Sequence, residues 1–184
     1  MKKVFIIHGF NGYPNGAWRP WLMGELRKDD VYACSLPMPS PDRPMVDQWV
    51  KTISTAVGDP IRSIFLVGHS LGAPAILRYL ETIPFPERIG GVVLVSGPYE
   101  NLKDEDHKVL ESFFQTPFDF EHIKKVCDKF VVIHSTDDSI VPFKDSILLA
   151  NKLSCEVTSL SKGNHFSGIY EFPELLKALE EIIA

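Results

Sequence analysis

The motif G-H-S-L-G at residues 68–72 constrains this chain more than any other segment. It follows an apolar run at 63–67 that has the length of a buried strand, and an apolar-periodic stretch from Leu71 onward predicts a helix. A serine between two glycines at such a junction is typical of a nucleophile elbow, in which a strained backbone exposes the hydroxyl. The N-terminus of the following helix favours negative charge that develops there. The segment therefore predicts that Ser70 is a nucleophile at the carboxyl end of a strand.

Two partners for this serine are predicted in the second half of the chain. Residues 130–134 predict a buried strand that runs into a turn carrying Asp137 and Asp138. Residues 155–160 predict the last strand, and the loop after it carries His165. The order serine, acid, histidine is the order of a triad on a parallel α/β sheet. Because the carboxyl ends of parallel strands share one edge, we expect the three groups to lie close together.

Each of these assignments has a structural alternative. Ser70 could be an ordinary helix N-cap, because serine favours that position. Asp138 could cap the helix that is predicted to begin near Pro142, and Asp137 could be the triad acid instead, since spacing cannot separate adjacent acids. His165 could be a surface loop histidine, although no other histidine follows Asp138 in the chain.

Strand and helix patterns alternate along the whole chain. Strands are predicted at 4–8, 31–35, 63–67, 91–96, 130–134 and 155–160, and helices at 18–28, 46–57, 71–80 and 173–183, with another near Pro142. Such alternation predicts a three-layer α/β sandwich around a mostly parallel, doubly wound sheet of about six strands. With 45% hydrophobic residues and no segment resembling a linker, residues 1–184 are expected to form a single domain.

Charge and terminal patterns argue against several other classes of protein. The 19 basic and 24 acidic residues give a net charge of -5, which argues against nucleic acid as a partner. The apolar stretch at the N-terminus is too short for a signal peptide or a membrane span. We therefore expect a cytoplasmic protein that does not act at a membrane.

Cysteine, histidine and glycine spacing predicts neither a metal nor another cofactor. Three scattered cysteines fit a reducing compartment and lack metal-ligand spacing: Cys34, Cys127 and Cys155. The glycines after the first strand do not form a dinucleotide fingerprint. Three histidines at strand ends are expected to be packing or hydrogen-bonding supports: His8, His69 and His134.

Two further segments resemble the α/β-hydrolase superfamily. Residues 134–142, H-S-T-D-D-S-I-V-P, resemble its acid loop H-G-x-x-D-x-x-V-P, with Ser135 in place of the glycine. Residues 7–10, I-H-G-F, resemble the start of its oxyanion loop. The short length and the paired acids make the chain similar, more narrowly, to small lidless serine hydrolases. The resemblance covers nearly the whole chain and implies the α/β-hydrolase fold without a cap domain.

The resemblance also implies roles for individual residues. Asp138 aligns with the triad aspartate of the superfamily, which implies a triad of Ser70, His165 and Asp138 and an acyl-enzyme mechanism. By position, the backbone N–H groups of Phe10 and Leu71 are expected to form the oxyanion hole.

Substrate preference is less constrained by the sequence. Trp18, Trp21 and Phe166 are candidates for the substrate pocket, with core packing as the alternative. The interval 101–128, where many relatives insert a cap, is short, so we expect no lid and a preference for small acyl substrates. The expected activity is that of a carboxylesterase on small-molecule esters, with amides and thioesters open to the same triad. The alternative is a weak or inactive hydrolase-fold protein that acts as a protein-binding module, for which the sequence names no partner.

Overall fold

The computed structural model describes residues 1–102 and 105–184, and in this part of the chain strands and helices alternate. The strands are β1 (Lys3–Ile7), β2 (Tyr32–Ser35), β3 (Ile64–His69), β4 (Gly91–Val95), β5 (Phe130–Ser135) and β6 (Val157–Leu160). The helices are α1 (Arg19–Lys28), α2 (Val46–Val57), α3 (Gly72–Leu80), α4 (Phe120–Val126), α5 (Phe143–Leu153) and α6 (Pro173–Ile183). A 3₁₀ helix, Glu105–Phe113, precedes α4. The strands and helices predicted from the sequence pattern are confirmed, with small shifts at their ends.

The six strands form one sheet in the order β2-β1-β3-β4-β5-β6. All five pairings are parallel, as expected of strands joined through helices. Strands β3 and β4 are buried along their whole length, because helices cover both faces of the sheet. The predicted doubly wound α/β architecture is therefore confirmed.

Two hydrophobic clusters, one on each face of the sheet, lie between the sheet and the helices that cover it. Trp49 and Ile53 of α2 pack in one cluster together with residues of α3, α4 and α5. Leu22 of α1 and Leu179 of α6 pack in the other. Successive residues of the central strands alternate between the two clusters, as the period of a β-strand requires.

The segment between β4 and β5 contains no inserted cap domain among its described residues, which form the 3₁₀ helix and α4. No helix in residues 1–102 and 105–184 is long and apolar enough to cross a membrane. The loops that follow β1, β3, β5 and β6 all leave the carboxyl edge of the sheet, so this edge brings distant parts of the sequence together.

Candidate active site

A strained turn joins β3 to α3 and carries Ser70. Ser70 has a φ of 54°, a left-handed conformation that side chains other than glycine adopt rarely. Its N–H donates to the carbonyl of Val95 at 2.9 Å, and its own carbonyl accepts from Ala73 at 2.9 Å. An added Cβ on Gly72 would lie 2.2 Å from the carbonyl oxygen of Ile7, so only glycine lets α3 approach β1 this closely. The turn has the geometry of a nucleophile elbow, and its φ differs from the extended backbone of an ordinary N-cap.

The side chains of His165 and Asp138 are hydrogen-bonded to each other. His165 Nδ1 lies 2.9 Å from Asp138 Oδ2 and 3.2 Å from Oδ1. The Asp138 side chain is fully buried, and its Oδ1 also accepts the N–H groups of Ile140 at 2.9 Å and Val141 at 3.0 Å. Because an ionised carboxylate only accepts, the Nδ1 of His165 carries the proton and the Nε2 of the neutral ring is left as a base.

The environment of Asp138 keeps its carboxyl group ionised. Burial alone would raise its pKa, but hydrogen bonds from His134 and His165 and the charge of His165 hold the pKa well below its usual range. His134 Nε2 lies 3.2 Å from Asp138 Oδ2 and 3.1 Å from the carbonyl oxygen of Val141. A buried carboxylate with this many donors is well suited to orient an imidazole.

Asp137 occupies a different position from its neighbour. Its exposed carboxylate accepts the hydroxyl of Ser135 and the N–H of Asn164, the latter at 2.7 Å. These two hydrogen bonds lower the pKa of Asp137, and the bond from Ser135 has the larger effect. Asn164 precedes His165, so Asp137 ties the acid loop to the histidine loop. The structure therefore brings Asp138, and not Asp137, to the imidazole.

His69 supports the backbone of His165. Its Nε2 lies 2.8 Å from the carbonyl oxygen of His165, and because a carbonyl only accepts, His69 donates this bond. Burial, followed by the charges of His165 and Arg19, lowers the pKa of His69 to about 3. The expectation of a supporting role for this histidine is confirmed.

His8 supports the loop that follows β1 through hydrogen bonds to the backbone. His8 Nδ1 donates to the carbonyl oxygen of Gly9 at 2.8 Å, and the N–H of Met38 donates to its Nε2 at 3.3 Å. An added Cβ on Gly9 would lie 2.7 Å from Ser70 Cβ, so this loop touches the elbow directly. Phe10 therefore follows a backbone position that lies against Ser70.

Ser70 and His165 line one pocket of about 200 Å³ at the carboxyl edge of the sheet. The pocket is lined by Gly9, Phe10, Asn11, Gly12, Tyr13, Gly16, Ala17, Arg19, His69, Ser70, His165 and Ser167. No hydrogen bond joins Ser70 Oγ to His165 among the described contacts, and such bonds often tighten only when substrate binds. Within the described chain, the N–H of Leu71 has no protein acceptor.

The three aromatic residues expected at the pocket lie elsewhere, and this expectation is corrected. Trp18 is fully buried, with its ring 6.0 Å from that of His69 and 5.8 Å from that of Phe172. Phe166 is also buried against Phe172, at 4.6 Å between ring centroids. Trp21 is half-buried against the same cluster. These aromatic rings fill the space between α1, α6 and the sheet, so most of the pocket wall comes from the 9–17 loop instead, including Phe10 and Tyr13.

A larger cavity of about 780 Å³ lies near the 3₁₀ helix and α4. Its lining includes Tyr99, Phe114 and Phe118 but none of Ser70, Asp138 and His165. Chemistry, rather than size, therefore places the candidate active site in the smaller pocket. Among residues 1–102 and 105–184, no three His, Cys, Asp or Glu side chains are grouped so that they could hold a metal ion.

A parallel sheet with a strained serine after β3, an acid after β5 and a histidine after β6 defines the class of α/β-hydrolases. A family model described as serine hydrolase matches residues 4–181. This match covers nearly the whole chain, so the protein belongs to the serine hydrolase family.

Individual relatives agree with this assignment. The chain is 38% identical over 165 residues to YdeN of Bacillus subtilis, covering 90% of this chain and 86% of that protein. It is 27% identical over 184 residues to the serine hydrolase RBBP9 of Rattus norvegicus, covering 98% and 95%.

Two solved structures share the fold. The crystal structure of the ydeN gene product has a TM-score of 0.93 at 36% identity, covering 99% of this chain and 98% of that one. Est1E from Butyrivibrio proteoclasticus has a TM-score of 0.72 at 16% identity, covering 99% and 86%, which shows a shared fold.

Proposed function

We propose that this protein is a carboxylesterase that cleaves small acyl esters through a triad of Ser70, His165 and Asp138. The proposal rests on the arrangement of these three residues. The strained Ser70 shares a small pocket with His165, whose Nδ1 lies 2.9 Å from the fully buried carboxylate of Asp138. A helix cap or a surface histidine does not need this arrangement, whereas nucleophilic catalysis does.

The geometry supports the following sequence of bonds. The Oγ of Ser70 attacks the acyl carbon while its proton passes to Nε2 of His165. The carbon–oxygen bond to the leaving group then breaks, and the leaving oxygen takes this proton. Water then attacks the acyl carbon while His165 accepts one of its protons. The bond between that carbon and Ser70 Oγ breaks, Oγ takes the proton back from His165, and the carboxylic acid product is released. Asp138 orients the imidazole and stabilises its cation throughout.

The developing oxyanion requires donors beside Ser70. The N–H of Leu71 at the start of α3 and that of Phe10 in the neighbouring loop are proposed for this role. The close packing of Gly9 on Ser70 supports the assignment of the Phe10 N–H as a donor, because it brings the backbone of this loop to the reacting serine. One such donor contributes about 3 kcal/mol to transition-state stabilisation.

Pocket size supports the proposed preference for short acyl chains. A volume of about 200 Å³ leaves little room for a long chain. The same triad could also cleave amides and thioesters of similar size. The proposed compartment is the cytoplasm, which would keep the free thiols of Cys34, Cys127 and Cys155 reduced.

Labelling with a fluorophosphonate, followed by intact-mass measurement, tests the proposal. We expect one adduct on the wild type and none on Ser70→Ala. Ser167→Ala is the matched control, because Ser167 lines the same pocket but does not lie in the turn between β3 and α3. This variant should keep the adduct. A folded wild type without an adduct would instead favour the inactive, protein-binding alternative.

A further inference from the structure

A buried arginine without a counter-ion lines the candidate active-site pocket. Arg19 is 5% exposed, yet it belongs to the same pocket wall as Ser70 and His165. Its Nε is buried and makes no hydrogen bond. Within residues 1–102 and 105–184, no carboxylate lies within ion-pair distance of its guanidinium. A guanidinium stays charged in proteins, so this pocket carries an uncompensated positive charge.

The surroundings of Arg19 hold the guanidinium in place. An added Cβ on Gly16 would lie 2.5 Å from Nη2 of Arg19, so the loop that follows β1 packs directly on it. The ring of Trp18 lies 5.6 Å from Cζ. Because Arg19 is the first residue of α1 and Pro20 follows it, its backbone is fixed as well. Packing therefore holds the guanidinium of Arg19 in position, and no salt bridge is needed for this.

The charge of Arg19 acts on the other groups of the pocket. After burial, it contributes to the lowered pKa values of both His8 and His69. Both imidazole rings therefore stay neutral, and neither balances the charge of Arg19. Burial of a cation without a partner is unfavourable, and a perturbed charged group in a cleft points to a functional site.

We propose that Arg19 binds a carboxylate of the substrate, so that this enzyme prefers esters whose short acyl chain ends in a carboxylate. This inference rests on the proposed function, because it concerns the substrate of the same site. The planar fork of a guanidinium matches a carboxylate with two parallel hydrogen bonds. The small pocket limits the distance between that carboxylate and the reacting carbonyl to a short chain.

A pair of esters that differ only in this charge tests the proposal. Mono-para-nitrophenyl adipate and para-nitrophenyl hexanoate have the same leaving group and acyl length, but one ends in a carboxylate and the other in a methyl group. We expect wild-type kcat/KM to be about tenfold or more higher for the adipate, since a hydrogen bond to a charged group contributes that much. Arg19→Met should lower this ratio to near one, and Arg19→Lys should keep part of it.

The control substitution is Arg27→Met on the same helix. Arg27 is exposed in the last turn of α1, away from the pocket, so the ratio should stay at the wild-type value. A wild-type ratio near one would overturn the proposal. So would an Arg19→Met variant that loses activity equally on both esters, because Arg19 would then act on the common transition state or on folding.

A binding measurement separates this proposal from the proposed function. Monomethyl adipate should raise the Tm of the wild type and leave the Tm of Arg19→Met unchanged. If the wild type is not labelled by fluorophosphonate and hydrolyses neither ester, the proposed function fails, and the Tm shift alone decides on the carboxylate site. Equal Tm shifts for both proteins, or none for either, would then overturn it.

Discussion

The imidazole of His69 donates a hydrogen bond of 2.8 Å to the backbone carbonyl of His165. These two residues lie 96 positions apart in the chain: His69 is the last residue of β3, and His165 lies in the loop after β6. The residue directly before the proposed nucleophile therefore holds the backbone of the proposed base. Because β3 and β6 end at the same edge of one parallel sheet, the bond links the two halves of the site.

Substitution of His69 by phenylalanine should impair catalysis without removing any triad group. The ring volume is kept, but the carbonyl of His165 loses its donor, and an unsatisfied buried carbonyl costs about 1–3 kcal/mol. We expect the rate of fluorophosphonate labelling to fall about tenfold while the single adduct on Ser70 remains. His69→Gln, whose amide can still donate, should retain more of the rate. Equal rates for wild type and His69→Phe would show that this bond does not position His165.

The lowered pKa of His69 predicts how stability depends on pH. In the unfolded chain this residue takes up a proton at the ordinary histidine pKa of 6.5, whereas in the folded protein it resists protonation down to a pKa of about 3. Between these values the unfolded state binds more protons, so the free energy of unfolding rises with pH by up to about 1.4 kcal/mol per unit from this residue. The contribution is complete above pH 6.5. Urea unfolding from about pH 4 to pH 7 should show a shallower rise for His69→Phe than for the wild type.

The adjacent acids should differ sharply when each is changed to asparagine. Asp138→Asn removes the carboxylate that sets the tautomer of His165, and loss of such a group lowers kcat by about 10⁴-fold. Asp137→Asn removes only the tie between the two loops at Ser135 and Asn164, so a far smaller loss is expected. Ester hydrolysis by the two purified variants at neutral pH compares them directly. If Asp137→Asn had the larger effect, the assignment of Asp138 would be wrong.

The sequence predicted the architecture and the candidate site to different depths. Alternating strand and helix patterns are local properties, so the order of elements and the edge that carries Ser70, Asp138 and His165 could be predicted. Spacing cannot separate adjacent acids, so the sequence favours Asp138 only through the resemblance of its loop to the acid loop of the superfamily. The fold of the turn then separates the two acids by their contacts.

Burial was harder to predict than position along the chain. The sequence predicts Trp18 at the pocket, but packing against Phe172, just before α6, places it in the core, and such packing between distant segments leaves no local pattern. The adjacent Arg19 lines the pocket instead and was missed, because a charged residue at the start of a predicted helix is ordinarily exposed.

Close packing at Gly72 should make that residue intolerant of alanine. A Cβ there would lie 2.2 Å from the backbone oxygen of Ile7, so α3 would have to move away from β1. Overpacking of this kind costs about 1–3 kcal/mol, and the shift would also displace the elbow. Gly24→Ala in α1 is the matched control, since nothing lies within 4 Å of its added Cβ and alanine is favoured in a helix by about 0.5–1 kcal/mol. Thermal unfolding should therefore show a lower Tm for Gly72→Ala and an unchanged or higher Tm for Gly24→Ala. A Gly72→Ala protein with wild-type Tm and labelling rate would mean that the elbow does not depend on the contact between α3 and β1.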